Sequence, residues 1–317
     1  MKILVVGASG FVGGHLIRRL ANDGMAVRAA VHLNRMPPVD GIEIAEHVSL
    51  DASFDWRSVI EGCDVVVHLG ARVHVMREAS SSPLAEYRRI NVDGAVSLAR
   101  QAAGCGVRRF IFLSSVKACG EFTALDEAFS EITAPRPLDP YGTSKLEAEV
   151  ALLELGRLSG MQVVVIRLPL IYGAGVRANF LTMMRWLRFG LPLPFGLVNN
   201  RRSLIGVDNV VDLISTCLRH PAAAGEVFLA SDGQDLSTPE LLMKLAEGLG
   251  TTARLLPIPV GLLEGLFTLA GQRALVQRLC LSLRVDGRKA GETLSWHPPF
   301  TTDEQLRRTA RWFLESG

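Results

Sequence analysis

The first sixteen residues, MKILVVGASGFVGGHL, constrain this chain more than any other stretch. Residues 3–6 form a short apolar, β-branched run, the pattern of a parallel strand buried on both faces. Gly7, Gly10 and Gly13 follow at three-residue spacing, and Leu16, Ile17 and Leu20 then recur with a helical period. Glycine at 7 allows a tight turn out of the strand. Glycine at 10 lets the backbone approach a diphosphate, and glycine at 13 lets the helix pack on the strand. Free amides at the start of such a helix attract an anion. A glycine triplet alone describes any glycine-rich turn; the strand before it and the helix after it supply the context of a nucleotide-binding turn.

The alternation continues. Residues 27–31, 42–45, 65–69, 109–113 and 162–166 read as further strands, and 91–103 as a helix. Repeated strand–helix–strand units predict an α/β protein with a doubly wound parallel sheet, whose ligands sit beyond the carboxyl ends of the strands. Those ends carry residues 7–13, Gly70 and Ala71, Ser114 and Ser115, and 169–173. After Gly173 the alternation breaks down. A helix at 180–189, the proline-rich LPLPFG, a helix at 210–219, a last strand at 227–230 and a mainly helical remainder from 235 follow. The expected organisation is a cofactor domain over 1–172, rejoined by 203–232, and a smaller, mostly helical substrate lobe over 173–202 and 233–317.

At 317 residues the chain can bury a large core, and 48% hydrophobic with 21% charged residues is the balance of a soluble globular protein. A net charge of +2 gives no electrostatic case for nucleic acid. Cys63, Cys105, Cys119, Cys217 and Cys280 are odd in number and lack metal or CxxC spacing. Free thiols in a reducing, cytoplasmic compartment and no metal site are expected. No signal peptide is legible. The longest apolar region, 258–270, carries Glu264 and is too short to span a bilayer. It reads as a core or lobe-packing helix, or else as an amphipathic surface helix.

The catalytic candidates open a predicted helix. In DPYGTSK, Tyr141 and Lys145 are four apart and share one helical face. A phenol titrates near ~10, too high to shuttle protons well at neutral pH. A cation one turn away, together with a positive nicotinamide, is expected to lower that value. Ser115, after the fifth strand, can bind the same substrate oxygen. Ser115, Tyr141 and Lys145 thus form a ketone/alcohol proton-transfer set. The end of strand two reads Val31-His32-Leu33-Asn34-Arg35, without the acid that would hold the ribose hydroxyls of NAD. His32 and Arg35 could meet a 2′-phosphate instead, which favours NADP(H) over NAD(H). Asp51 serves either an adenine contact or a turn.

These motifs, with HLGA, NVDG, FLSSVKACGE, RLPLIYGAG and LSWHPP, resemble the extended short-chain dehydrogenase/reductases, in their nucleotide-sugar epimerase/dehydratase branch, over essentially the whole chain. The resemblance implies a Rossmann-type sheet, Tyr141 as acid/base, Lys145 on the nicotinamide ribose and Ser115 on the reacting oxygen. It implies cofactor contacts from Gly7, Ser9, Gly10, Phe11, Val12 and Gly13, from Ala52 beside Asp51, from Leu69, Gly70 and Ala71, and from Ser114 and Pro169. It assigns substrate contacts to Lys117, Asn179, Arg201 and Arg284, the arginines neutralising a diphosphate with forked donors. Tyr172 reads as packing rather than sugar stacking.

Departures from the branch are informative. Dehydratases carry an Asp-Glu pair where this chain has Val116 and Lys117, the tyrosine before the motif glycine is Cys119, and an asparagine near the YG motif is Leu170. The resemblance is nearest to bacterial surface-polysaccharide (O-antigen) enzymes. It implies reduction of a UDP-4-keto-6-deoxy-N-acetylhexosamine, or else 4-epimerisation of a UDP-N-acetylhexosamine with bound NAD. A lipophilic-ketone reductase and a cofactor-sensing module remain as other classes; the presence of Tyr141 and Lys145 counts against the latter. The resemblance also admits a homodimer through the helices near 91–103 and 142–158.

Overall fold

The computed structural model describes residues 1–32, 40–73, 82–269, 271 and 273–316. The first half runs β1 (Lys2–Val6), α1 (Phe11–Asn22), β2 (Ala26–Ala30), β3 (Ile42–Ala45), α2 (Arg57–Ile60), β4 (Val65–His68), α3 (Pro83–Tyr87), α4 (Ala95–Gly104), β5 (Arg109–Ser115), α5 (Pro140–Ser159) and β6 (Gln162–Leu168). The second half runs β7 (Leu170–Tyr172), α6 (Ala178–Arg188), β8 (Leu204–Gly206), α7 (Val207–Arg219), β9 (Val227–Leu229), α8 (Thr238–Gly248), α9 (Val260–Leu269), α10 (Arg273–Cys280), α11 (Arg288–Leu294) and α12 (Thr302–Ser316).

Among the described residues, seven strands form one parallel sheet in the order β3-β2-β1-β4-β5-β6-β9. The sequence order reverses between β1 and β4, the switch point of a doubly wound Rossmann-type sheet. Central strands such as β4 are buried along their whole length, which accounts for their unbroken apolar run. On one face, Leu16, Ile17 and Leu20 of α1 pack with Val210, Leu213 and Ile214 of α7. On the other, Leu98, Ala99 and Ala102 of α4 pack with Ala148 and Leu152 of α5. The chain returns to this sheet late, as β9 pairs with β6.

A separate apolar cluster gathers the second half. Met183, Met184 and Leu187 of α6 pack with Leu242 and Leu245 of α8 and with Leu306 and Phe313 of α12. Tyr172 lies at its edge, fully buried and stacked on Phe180, and its hydroxyl donates to Asp232 at 2.6 Å. Burial and the neighbouring carboxylate push that phenol up. Asp232 also accepts from the Gly206 amide and from Asn209, so it joins β8 to α7.

Two local features differ from the pattern read in sequence. The helix expected over 91–103 starts earlier and enters through a π-helical turn, Arg88–Gly94, before α4. The extra residue in that turn holds Asn91 buried against the β4 loop and α5. The apolar stretch from 258 does form a helix, α9, but among its residues only Leu263 is buried. Leu262, Leu266 and Leu269 stand in solvent.

Candidate active site

The site is built from the carboxyl ends of β1, β4, β5 and β6 and the first turns of α1 and α5. Gly7 turns out of β1 with φ +85°, a conformation that side chains with a Cβ resist. A Cβ at Gly13 would lie 2.3 Å from the Gly7 carbonyl oxygen, so only glycine lets α1 sit this close to the strand end. Helix α1 starts at Gly10 with no side-chain cap and no acid in its first turn. By contrast, α8 closes its own N-terminus with the Ser237–Glu240 capping box. Leading amides of α1 therefore keep their pull on an anion, and Ser9 and Gly10 are exposed there while Phe11 and Val12 pack inward. The residues present fit the pyrophosphate of a dinucleotide.

Beyond β4, Leu69, Gly70 and Ala71 are partly exposed beside this turn, and the Gly70 amide lies where a Cβ on Gly7 would touch it, at 2.8 Å. Asn91 holds the adjoining loop: its side chain accepts from the Arg72 amide at 2.8 Å, donates to the Arg72 carbonyl and donates to Ser144 of α5 at 3.0 Å. His32 ends the described part of the β2 loop, exposed, with Nδ1 2.8 Å from the Val48 carbonyl. Arg35 lies outside the described residues. The Asp51 carboxylate is engaged in a turn, accepting from the Ser53 amide and hydroxyl and pairing with Arg89 at 2.5 Å, with Ala52 exposed beside it. Pro169 is buried between β6 and β7.

The catalytic candidates converge. Asp139 caps α5 by accepting from the Gly142 amide at 2.6 Å, Pro140 occupies the first turn, and Tyr141 and Lys145 follow one turn apart. A Cβ at Gly142 would lie 2.4 Å from the Lys117 carbonyl oxygen, so α5 starts pressed against the loop that follows Ser115. Ser115 in turn caps the short 3₁₀ turn Val116–Ala118 by accepting from the Lys117 amide. The Lys117 ammonium bonds Asp139 at 2.5 Å and Glu121 at 2.7 Å. It was expected to reach substrate. Instead, two carboxylates hold it, and it ties the Ser115 loop to the cap of the Tyr141 helix.

In the protein alone, electrostatics run opposite to the shift expected with a positive nicotinamide bound. The Tyr141 phenol is pushed up to about 12, first by burial and then by Asp139, with the adjacent Ser115 hydroxyl pulling the other way. Lys145 does not lower it within the protein alone. The Lys145 side chain is itself fully buried, its ammonium 4.0 Å from the centre of the Phe112 ring, and burial brings it down to about 7 against the pull of Glu149. Desolvation thus works against the charge that was expected to lower the phenol. Behind it His68 is buried and held neutral, brought down to about 3 by burial and by Lys145.

Sequence reasoning passed over the support beneath the site. Glu149, one turn after Lys145, accepts a short hydrogen bond from Ser114 and two from Arg167 of β6, at 2.9 and 2.6 Å. Arg167 also bonds the Cys119 sulfur at 3.4 Å. This buried network joins β5, β6 and α5 directly under Ser115. A carboxylate at i+4 from the lysine was the available signal, but its partner lies on another strand.

The substrate candidates fall on the far side. Asn179 is exposed in the first turn of α6. Arg201 and Arg284 sit on adjacent extended segments, joined where the Leu283 amide donates to the Arg201 carbonyl at 2.9 Å. Arg201 is exposed, whereas Arg284 is paired with Asp235 at 2.7 Å and also bonds the Leu125 carbonyl. Arg202 turns inward to the Leu281 carbonyl.

The model of the NAD dependent epimerase/dehydratase family matches residues 3–230. The chain belongs to this family. It is 42% identical to a UDP-glucose 4-epimerase of Vibrio cholerae over 318 residues, covering all of this chain and 96% of that one. It is 26% identical to the N-acetyl-α-D-glucosaminyl-diphospho-ditrans,octacis-undecaprenol 4-epimerase of Escherichia coli O157:H7, covering 98% and 95%. Among solved structures, MoeE5 in complex with UDP-glucose and NAD superposes with a TM-score of 0.78 at 25% identity, covering 100% and 99%. No described helix of this enzyme is long and apolar enough to cross a membrane.

Proposed function

We propose that this enzyme reduces the 4-keto group of a UDP-4-keto-6-deoxy-N-acetylhexosamine for a bacterial surface polysaccharide such as O antigen, with NADPH as reductant. The observation that carries the reading is the make-up of the proton-transfer site. Ser115, Tyr141 and Lys145 converge, while Val116 and Lys117 stand where dehydratases of the family carry acids, and Lys117 occupies both nearby carboxylates. Such a site serves an alcohol/ketone pair and has no free acid–base pair for removing water from a sugar.

When bound, the reduced nicotinamide supplies the hydride that goes to C4. The chain's own residues do the rest. Tyr141 gives its phenolic proton to the carbonyl oxygen, and its raised value keeps that proton in place at neutral pH. Ser115 donates a hydrogen bond to the same oxygen. Lys145 binds the nicotinamide ribose, and Asn179, Arg201 and Arg284 bind the substrate diphosphate. The acid-free end of β2 supports NADPH over NADH, with His32 and Arg35 meeting the 2′-phosphate. The free thiols of all five cysteines suit a reducing compartment, and we assign the enzyme to the cytoplasm. The exposed Val150 on α5, and the groove between Val96 of α4 and Ala151 of α5, support a homodimer through these two helices.

The Vibrio cholerae relative favours a second reading, a UDP-hexose 4-epimerase that retains NAD. One assay separates the two. Purified enzyme is given NADPH or NADH with the 4-keto sugar nucleotide, and absorbance of the reduced nicotinamide is followed. Stoichiometric loss with NADPH supports the reductase. No loss, together with interconversion of UDP-N-acetylglucosamine and UDP-N-acetylgalactosamine, replaces it with the epimerase.

A further inference from the structure

Helix α9, VGLLEGLFTL, is apolar on two sides. Leu263 is buried and Phe267 packs against the second-half core, so one side docks the helix. Leu262, Leu266 and Leu269 recur at i, i+4 and i+7 on another side, exposed to 54%, 54% and 89%. Burial of the first side does not require the second to be apolar. Gly261 and Gly265 flank the outward stripe, and Glu264 lies on the opposite side of the helix.

The stripe has apolar neighbours. The Leu193 amide donates to the Arg254 carbonyl and the Leu256 amide to the Leu193 carbonyl, at 2.8 Å each, and α9 starts four residues after Leu256. Along this edge Phe189 is 76% exposed, and Leu191 and Leu197 are exposed as well. The flanking segments are rich in arginine: residues 173–200 contain Arg177, Arg185 and Arg188 and no Asp or Glu, and residues 248–280 contain Arg254, Arg273 and Arg278 against the single acid Glu264. Arg185, Arg188 and Arg254 are exposed. The chain as a whole carries only +2, so this is local segregation of charge.

We infer that α9 and the Phe189–Leu197 edge dock the enzyme onto an anionic bilayer surface, with Leu262, Leu266 and Leu269 entering the acyl boundary and the arginines meeting the headgroups. An apolar stripe rimmed by cations suits such a surface, where buried apolar area and attraction to anionic lipid add. A second copy of the chain would present the same cations and repel. Ten helical residues span only ~15 Å, so α9 lies in the interface and does not cross it. The inference is independent of the substrate reading, because its test needs no turnover.

The test is flotation of the full-length enzyme with vesicles of phosphatidylcholine alone or with phosphatidylglycerol added, at low and high salt. The enzyme is expected to float with the anionic vesicles, less at high salt, and weakly with the neutral ones. Leu262→Ser/Leu266→Ser/Leu269→Ser is expected to reduce the floated fraction at least about tenfold, with unchanged circular dichroism and unchanged turnover of soluble substrate. Arg185→Gln/Arg188→Gln/Arg254→Gln is expected to remove the preference for anionic lipid. Three outcomes overturn the inference: no flotation with either vesicle; flotation that the leucine variant retains; and a leucine variant that sediments as a smaller oligomer than wild type, which would make a second copy the occupant.

Discussion

Tyr141 and Lys145 show how one local environment sets two opposite shifts. Both groups are desolvated, which favours the neutral form of each: the phenol rises to about 12 and the ammonium falls to about 7. Tyr141→Phe removes the transferable proton and leaves the ring packed beside Tyr87, 6.1 Å away. Turnover is expected to fall by about 10²-fold or more with cofactor affinity little changed, as stopped assays and a binding titration would report. Lys145→Met should slow turnover and weaken cofactor binding, yet stabilise the fold. Unfolded, the lysine returns to its ordinary 10.5, so between about pH 7 and pH 10.5 the unfolded chain holds more protons than the folded one. Stability of the cofactor-free protein should therefore rise with pH across that window. Below it, burying the charged ammonium carries a constant cost, on the order of a few kcal/mol. Melting curves at several pH values should show the rise in wild type and its loss in Lys145→Met.

Elements matter here through their ends. Helix α5 begins at a cap that is also an ion-pair partner: Asp139 holds the Gly142 amide and the Lys117 ammonium together. Asp139→Asn keeps a capping oxygen and loses the charge; Asp139→Ala loses both. The alanine variant is expected to be about 1 kcal/mol less stable than the asparagine variant by denaturant unfolding, the usual worth of a cap. Both should slow turnover, since Lys117 then holds the Ser115 loop less firmly to the Tyr141 turn. Beneath this, the Glu149–Arg167 pair is buried and charge-assisted. Breaking one partner leaves the other charge without its counterpart in the interior, so Glu149→Gln should cost roughly 3 kcal/mol or more. Because Glu149 also pulls Lys145 up, the rise of stability with pH should begin lower in Glu149→Gln than in wild type.

At the scale of the whole molecule, the parallel sheet carries the glycine turn and Ser115, and the second half carries Asn179, Arg201 and Arg284, the proposed substrate groups. Helices α4 and α5 flank a groove lined by Val92, Val96, Ser97, Arg100 and Ala151, and Val150 on α5 is 62% exposed. Sedimentation of the wild type as a homodimer and of Val150→Arg as a monomer is the expected result if this face pairs with a second copy. The face lies on helices distinct from α9, so the two surfaces can be disabled separately.

Short-range patterns were sufficient for much of this. The apolar run of β4, the glycine turn after β1 and the four-residue spacing of Tyr141 and Lys145 are each written within a few positions, because strand and helix periods repeat over such windows. The parallel sheet and the place of Ser115, Tyr141 and Lys145 follow from them. What the sequence could not contain is the effect of burial and of residues distant along the chain. Lys117 has two carboxylate partners, one of them 22 residues away; Glu149 has its arginine on β6; Arg201 and Arg284 become neighbours only when their segments pair. The direction of the Tyr141 shift belongs with these. Spacing brought a cation near the phenol, but only the packed interior decides whether that cation keeps its charge, because desolvation is a property of the surroundings and not of the residue.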